Sequence, residues 1–239
     1  MGKKSSTPPP RASRFAGIGF VVKLAALYLF VNFVVQVVRK PTEIASLFSF
    51  SMYKTPTETW NSYKSYFQSS ATEATPADFL AALAHIESNG NPWASPGWRF
   101  KINARIFDLY APATTAVGLY QFLDETFRNA GIGETFSNRL SPESSTRIAA
   151  TYLNRELAKI IYEQKLQKTT NERKQILAAI VHLCGKQKAI NFARAGYSWA
   201  AIGNCGAHDP QVYTQRVLSL KRTFGQLMNA DDRSVASIR

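Results

Sequence analysis

Hydrophobic and polar positions divide the chain into blocks of different period. Residues 1–14, MGKKSSTPPPRASR, are polar, basic and rich in Pro and Ser, and are expected to be disordered. A long apolar run follows from Phe15 to Val38, with Lys23 as its one charge, and is closed by Arg39, Lys40 and Pro41. As a helix its roughly 24 residues measure about 36 Å, long enough to cross a bilayer with some tilt. Lys23 lies near one end, where its stem can carry the charge to the head groups. No small-x-small cleavage site follows the run, which favours a retained anchor over a removed leader.

Residues 39–75 are rich in Ser, Thr and aromatics and read as a linker. Phe48, Phe50 and Tyr53 suit a membrane surface. Trp60, Tyr63, Tyr66 and Phe67 recur at helical spacing, as a short helix packed on the domain or as an interfacial docking stripe; the pattern does not choose. From Thr75 the period is helical. Thr75 suits an N-cap, Pro76 the first helical position and Asp78 the positive end of the dipole. PADFLAALAHIES then forms a helix that Gly90 ends. STRIAATYLNRELAKIIYEQKL places Ile148, Tyr152, Leu153, Leu157 and Ile160 or Ile161 on one stripe, and RKQILAAIVHL and PQVYTQRVLSLKRTFGQL are further helices. No β-hairpin is predicted. The expected fold is mainly α, with a globular domain over 76–228 and a disordered tail over 229–239.

Composition narrows the chemistry. The chain has 239 residues, 45% hydrophobic and 19% charged, a globular balance. Its formal net charge of +13 favours anionic partners. Zinc-ligand spacing, a glycine-rich phosphate loop and RNA-binding aromatic signatures are missing from the sequence, so no metal, cofactor or nucleic acid is expected. Cys184 and Cys205 are too few for a disulfide scaffold; they form one bridge or stay as two buried thiols, according to compartment. The basic positions Arg155, Lys159, Lys165, Arg173 and Lys174 suit a solvated helix face or an acidic partner.

Glu87 is the residue with chemical promise. It follows Leu83 by four positions and Phe79 by eight, which sets it along the edge of a buried face. Desolvation there raises a carboxyl pKa and keeps a proton available near neutral pH, as glycosidic-bond protonation requires. A structural glutamate bonding the following turn meets the same pattern.

Three motifs add to that. Residues 86–94, IESNGNPWA, residues 117–122, VGLYQF, and residues 182–185, HLCG, occur in this order. They resemble the three motifs of the SLT-type lytic transglycosylase domain over residues 76–225. The resemblance implies a lysozyme-like helical domain with a groove for peptidoglycan. It implies cleavage of the β-1,4 bond between N-acetylmuramic acid and N-acetylglucosamine with a 1,6-anhydro product. Glu87 is then the acid/base and Ser88 orients it. Gly118 lets the backbone approach the groove, Tyr120 and Gln121 line it, and Tyr213 faces it from the closing helix. His182 stands where many members carry a tyrosine that contacts the catalytic carboxyl; a charged imidazole there would lower the carboxyl pKa. Ser95 or Thr115 replaces a serine of the family, after the long stretch SPGWRFKINARIFDLYAPATTA. Trp98, Arg99 and Phe100 in that stretch are an extra groove wall or a surface insertion. Asp108, Asp124, Glu125 and Glu134 are read as structural; one of them would have to act in a true hydrolase. The implied protein is anchored in a bacterial inner membrane with its N-terminus cytoplasmic and its domain periplasmic. It would open local gaps for an envelope-spanning secretion or conjugation machine. A periplasmic site favours the Cys184–Cys205 bridge. The rivals are a glycan-binding module without catalysis and a lysozyme-type hydrolase.

Overall fold

The computed structural model describes residues 14–39, 52–101, 105–129 and 136–236. The N-terminal stretch to residue 13, Phe48, Phe50 and Glu134 lie outside them. The fold is mainly α, as the periodicity predicts. The chain forms two compact units.

One unit contains α1 (Arg14–Arg39) and the excursion at residues 98–112. From Ile18 to Arg39 the helix has a mean hydropathy of 2.2, which makes it apolar enough to cross a membrane. The excursion holds a two-stranded antiparallel ribbon that the sequence does not predict: β1 (Trp98–Phe100) pairs with β2 (Tyr110–Pro112), Arg99 opposite Ala111. Three-residue strands are too short to set up a period of two.

The other unit is helical. α2 (Pro56–Ser70) starts at a capping box, in which Thr55 accepts from Glu58 N and Glu58 accepts from Thr55 N. It buries Trp60, Tyr63 and Phe67, so this aromatic stripe faces the core rather than a bilayer or a partner. The linker reading of residues 39–75 therefore fails from Thr55 onward. α3 (Ala77–Ser88) is the central element, with Phe79 to Ala84 all fully buried. Its N-cap is Pro76, one residue later than predicted, because Thr75 is engaged elsewhere: its hydroxyl accepts from Asn154 Nδ2 at 2.9 Å. Asn89 closes α3 in the left-handed conformation, φ 48°.

The short helices α4 (Asp124–Asn129) and α5 (Phe136–Leu140) lead to α6 (Pro142–Glu163), capped by Ser141. α6 buries Ile148, Leu153, Leu157 and Ile160, which settles the stripe in favour of Ile160. α7 (Asn171–Cys184) and α8 (Lys186–Arg194) meet at Gly185. α9 (Pro210–Ala236) packs along α3 with Val217 and Phe224 fully buried. It also runs past residue 228, where the sequence reading begins a disordered tail. Asp231 holds it there, accepting from Trp60 Nε1 at 2.9 Å and from Lys64 Nζ at 2.7 Å.

Cys184 and Cys205 are joined, with Cα atoms 5.4 Å apart and a sequence separation of 21. Closing a loop of that size is worth about 3 kcal/mol. Replacing both cysteines by Ser is expected to lower the thermal midpoint by about 6–12 °C for a domain of this size. Differential scanning calorimetry of the two proteins without reductant checks this.

Candidate active site

Glu87 occupies the last turn of α3, its side chain only 18% exposed. Two groups converge on its Oε1. Tyr213 donates its hydroxyl from the first turn of α9, and His182 Nε2 approaches to 3.3 Å from the last turn of α7. The three residues are far apart in sequence and meet because α9 packs on both α3 and α7. The His182 ring is 4% exposed and lies 4.9 Å from the Phe122 ring, which also meets the ring of Tyr152 at 5.8 Å.

Burial pushes the Glu87 carboxyl up. The His182 charge and hydrogen bond, the Tyr213 hydroxyl and the charge of His208 pull it down, and together they win: it titrates below the ordinary carboxylate value of 4.5. The sequence reading expects a raised pKa because it sees the apolar face of α3 and not the two histidines brought against it. Tyr213 moves the other way, well above the ordinary phenol value, through burial and the adjacent carboxylate. His182 Nδ1 is buried with no hydrogen-bond partner among the described residues.

The other expected site residues separate into two groups. Ser88 does not reach Glu87: it is 4% exposed and its hydroxyl donates back to Ala84 O at 2.8 Å. Tyr120 does not line a groove. It is 1% exposed, donates to Leu80 O at 3.2 Å, and burial raises its pKa. Gly118 has φ 80°, and a Cβ there would stand 2.2 Å from Arg139 O, so the close approach it permits is to the end of α5. Gln121, itself at φ 49°, donates to Ala94 O at 2.9 Å and Gly118 O at 2.8 Å, which locks the loop after α3 to the second motif. These four residues build the frame, whereas His182 and Tyr213 touch the carboxyl.

The remaining carboxylates have other tasks. Asp124 pairs with Arg139 at 2.7 Å, and Asp108 accepts from Gln36 at 2.9 Å. Glu125 lies in the first turn of α4. Thr115 accepts from Asp124 N at 3.1 Å, and Ser95 donates to Pro96 O at 3.4 Å. Of the basic positions, Arg155 and Lys159 both pair with Glu156, and Arg173 lies over the Tyr197 ring.

Sequence reasoning missed His208. The turn that carries it is closed by reciprocal backbone bonds, Cys205 N to His208 O at 2.8 Å and His208 N to Cys205 O at 3.1 Å, and is pinned by the disulfide to the end of α7. A histidine between a cysteine and the start of the helix bearing Tyr213 was the available signal.

One comparison bears on the fold and activity class of the domain that carries this glutamate. Residues 64–181 match the transglycosylase SLT domain. That domain indicates a lytic transglycosylase, an enzyme of the peptidoglycan-cleaving lyase class, on a lysozyme-like helical fold. No curated protein matches the chain. The match begins inside α2, in keeping with the burial of that helix, and ends one residue before His182.

Proposed function

We propose that Glu87 is the single acid/base of this transglycosylase and that the product carries a 1,6-anhydro-N-acetylmuramic acid end. The observation that carries the reading is the set of contacts at Glu87: Tyr213 and His182 meet its Oε1, and among the described residues no carboxylate is in contact with it. A hydrolase that activates water needs a second carboxylate on the opposite face of the sugar. With one, the reaction closes on the substrate itself. Protonated Glu87 gives its proton to the glycosidic oxygen as the C1–O bond breaks, and the N-acetylglucosamine side leaves as the alcohol. The substrate's acetamido oxygen stabilises C1. Glu87, now a carboxylate, takes the C6 hydroxyl proton while that oxygen bonds to C1. Tyr213 and His182 hold the carboxyl in place, and Ser88, Gly118, Tyr120 and Gln121 keep the surrounding loops in register.

His182 sets the pH at which the acid is available. The general acid must be protonated, so kcat/KM falls as pH rises through the Glu87 pKa. His182→Gln keeps an N–H donor but removes the charge, so the carboxyl pKa rises. The upper inflection of the pH–rate profile is expected to move to higher pH. In the wild type the same depressed pKa adds stability above the unfolded carboxyl value, lost as pH falls through the folded one; the variant loses part of that increment.

Anchored by α1 in a bacterial inner membrane, N-terminus inside, the domain would cut wall in the periplasm only within reach of its anchor. That suits a local gap for an envelope-spanning secretion or conjugation machine. Mass spectrometry of fragments released from purified peptidoglycan tests the chemistry: anhydro ends support the reading and reducing ends make the protein a hydrolase. Wall binding without release by the folded protein leaves a binding module.

A further inference from the structure

The apolar helix α1 is not uniformly apolar. Tyr28, Asn32 and Gln36 recur every fourth residue and form one polar stripe. An amide facing lipid tails is costly unless it finds a partner. Here the donor group of each residue has an acceptor in the excursion at residues 98–112. Tyr28 donates to Ile106 O, Asn32 Nδ2 to Tyr110 O at 3.0 Å, and Gln36 Nε2 to Asp108 Oδ1 at 2.9 Å. Asn32 is 1% exposed and Gln36 is fully buried, while Phe20, Val21, Leu27 and Phe30 on the same helix are open. The match works in both directions, because Ile106 O and Tyr110 O gain donors that water would otherwise supply.

The other side of the excursion has a different character. Phe100 is 64% exposed and Ile106 70% exposed. Arg99 and Arg105 are exposed beside them, Lys101 is half-buried, and Asp108 is already held by Gln36. Aromatic and aliphatic side chains among cations are the composition of a surface that lies in an anionic head-group layer.

We propose that this excursion is a strap that follows α1 into the outer leaflet and makes a second contact with an anionic bilayer. The proposal rests on the reading of α1 as a membrane anchor. At 1.5 Å per residue Tyr28 lies about 16 Å from Arg39 along the helix, so Ile106 is carried below the head groups, and the Arg105 stem has to carry its charge back up to them. Irregular backbone survives at that depth only where its polar groups are satisfied. Among the described residues of the excursion the Tyr28 and Asn32 bonds, the β1–β2 ladder and the Asp108 N to Arg105 O bond at 2.8 Å contribute to this.

The test uses the full chain in phosphatidylcholine vesicles with and without phosphatidylglycerol. Nitroxide labels are placed singly at Arg99→Cys, Ile106→Cys and Leu27→Cys, leaving the Cys184–Cys205 bridge intact. Collision with oxygen and with a water-soluble nickel chelate gives the depth of each label. The expected result is a label at 106 that is severalfold less accessible to the chelate than one at 99. In a chain labelled at 106, Arg105→Glu is expected to raise chelate access in the phosphatidylglycerol vesicles only. A label at 106 as open to the chelate as one in water, with the label at 27 immersed, overturns the strap and leaves the anchor. A label at 27 in water overturns the anchor and the strap with it.

Discussion

Glu87→Gln is expected to lower the release of anhydro-ended fragments by about 10²–10⁴-fold, the contribution of a positioned general acid. The substitution is nearly isosteric. The amide oxygen in the Oε1 position can still accept from both the Tyr213 hydroxyl and His182 Nε2–H, so the folded site is expected to survive. What disappears is the proton. Among the described residues no carboxylate is in contact with Glu87 to replace it. Fragment yields at matched folded concentration, read by mass spectrometry, check this. A variant within tenfold of the wild type would remove Glu87 from the acid role. The comparison with His182→Gln is informative. Loss of the acid lowers the rate at every pH, whereas loss of the nearby charge moves the inflection, so the two residues are separable by the shape of the profile.

The site was partly legible in the sequence. Glu87 could be singled out because its edge position on α3 and the IESNGNPWA motif are both local. His182 could be matched to a motif, but its hydrogen bond depends on α3 and α7 both packing on α9, and the direction of the Glu87 pKa depends on that bond. Tyr120 and Ser88 show the limit of motif reading. A motif fixes residue types, but the positive φ values at Gly118 and Gln121 decide which side of the turn each side chain takes, and they send Tyr120 into the core. The fold was legible where periods run long, over α3, α6, α7 and α9. It failed at β1 and β2, which are too short, and at Trp60, whose partners Phe224 and Asp231 lie more than 160 residues away.

That long-range pairing makes Trp60→Ala the substitution with the largest expected effect on stability, about 3–5 kcal/mol. Trp60 is 1% exposed, its ring lies 6.2 Å from Phe67 and 6.3 Å from Phe224, and its Nε1–H donates to Asp231. Alanine leaves a cavity between α2 and α9 and removes the donor from Asp231, which keeps Lys64. The denaturant midpoint should fall with the unfolding slope unchanged, the sign of lost stability without a change of fold. A chain cut at residue 76 tests the same contact more severely. It lacks Trp60, Tyr63 and Phe67 together and opens Phe224 and the adjacent face of α3 to water. It is expected to unfold at a lower denaturant concentration than Trp60→Ala, or to aggregate, whereas a chain beginning before Thr55 keeps the capping box and the full core. Equal stability of the chain cut at 76 and the chain that retains α2 would mean that α2 is a separable linker after all.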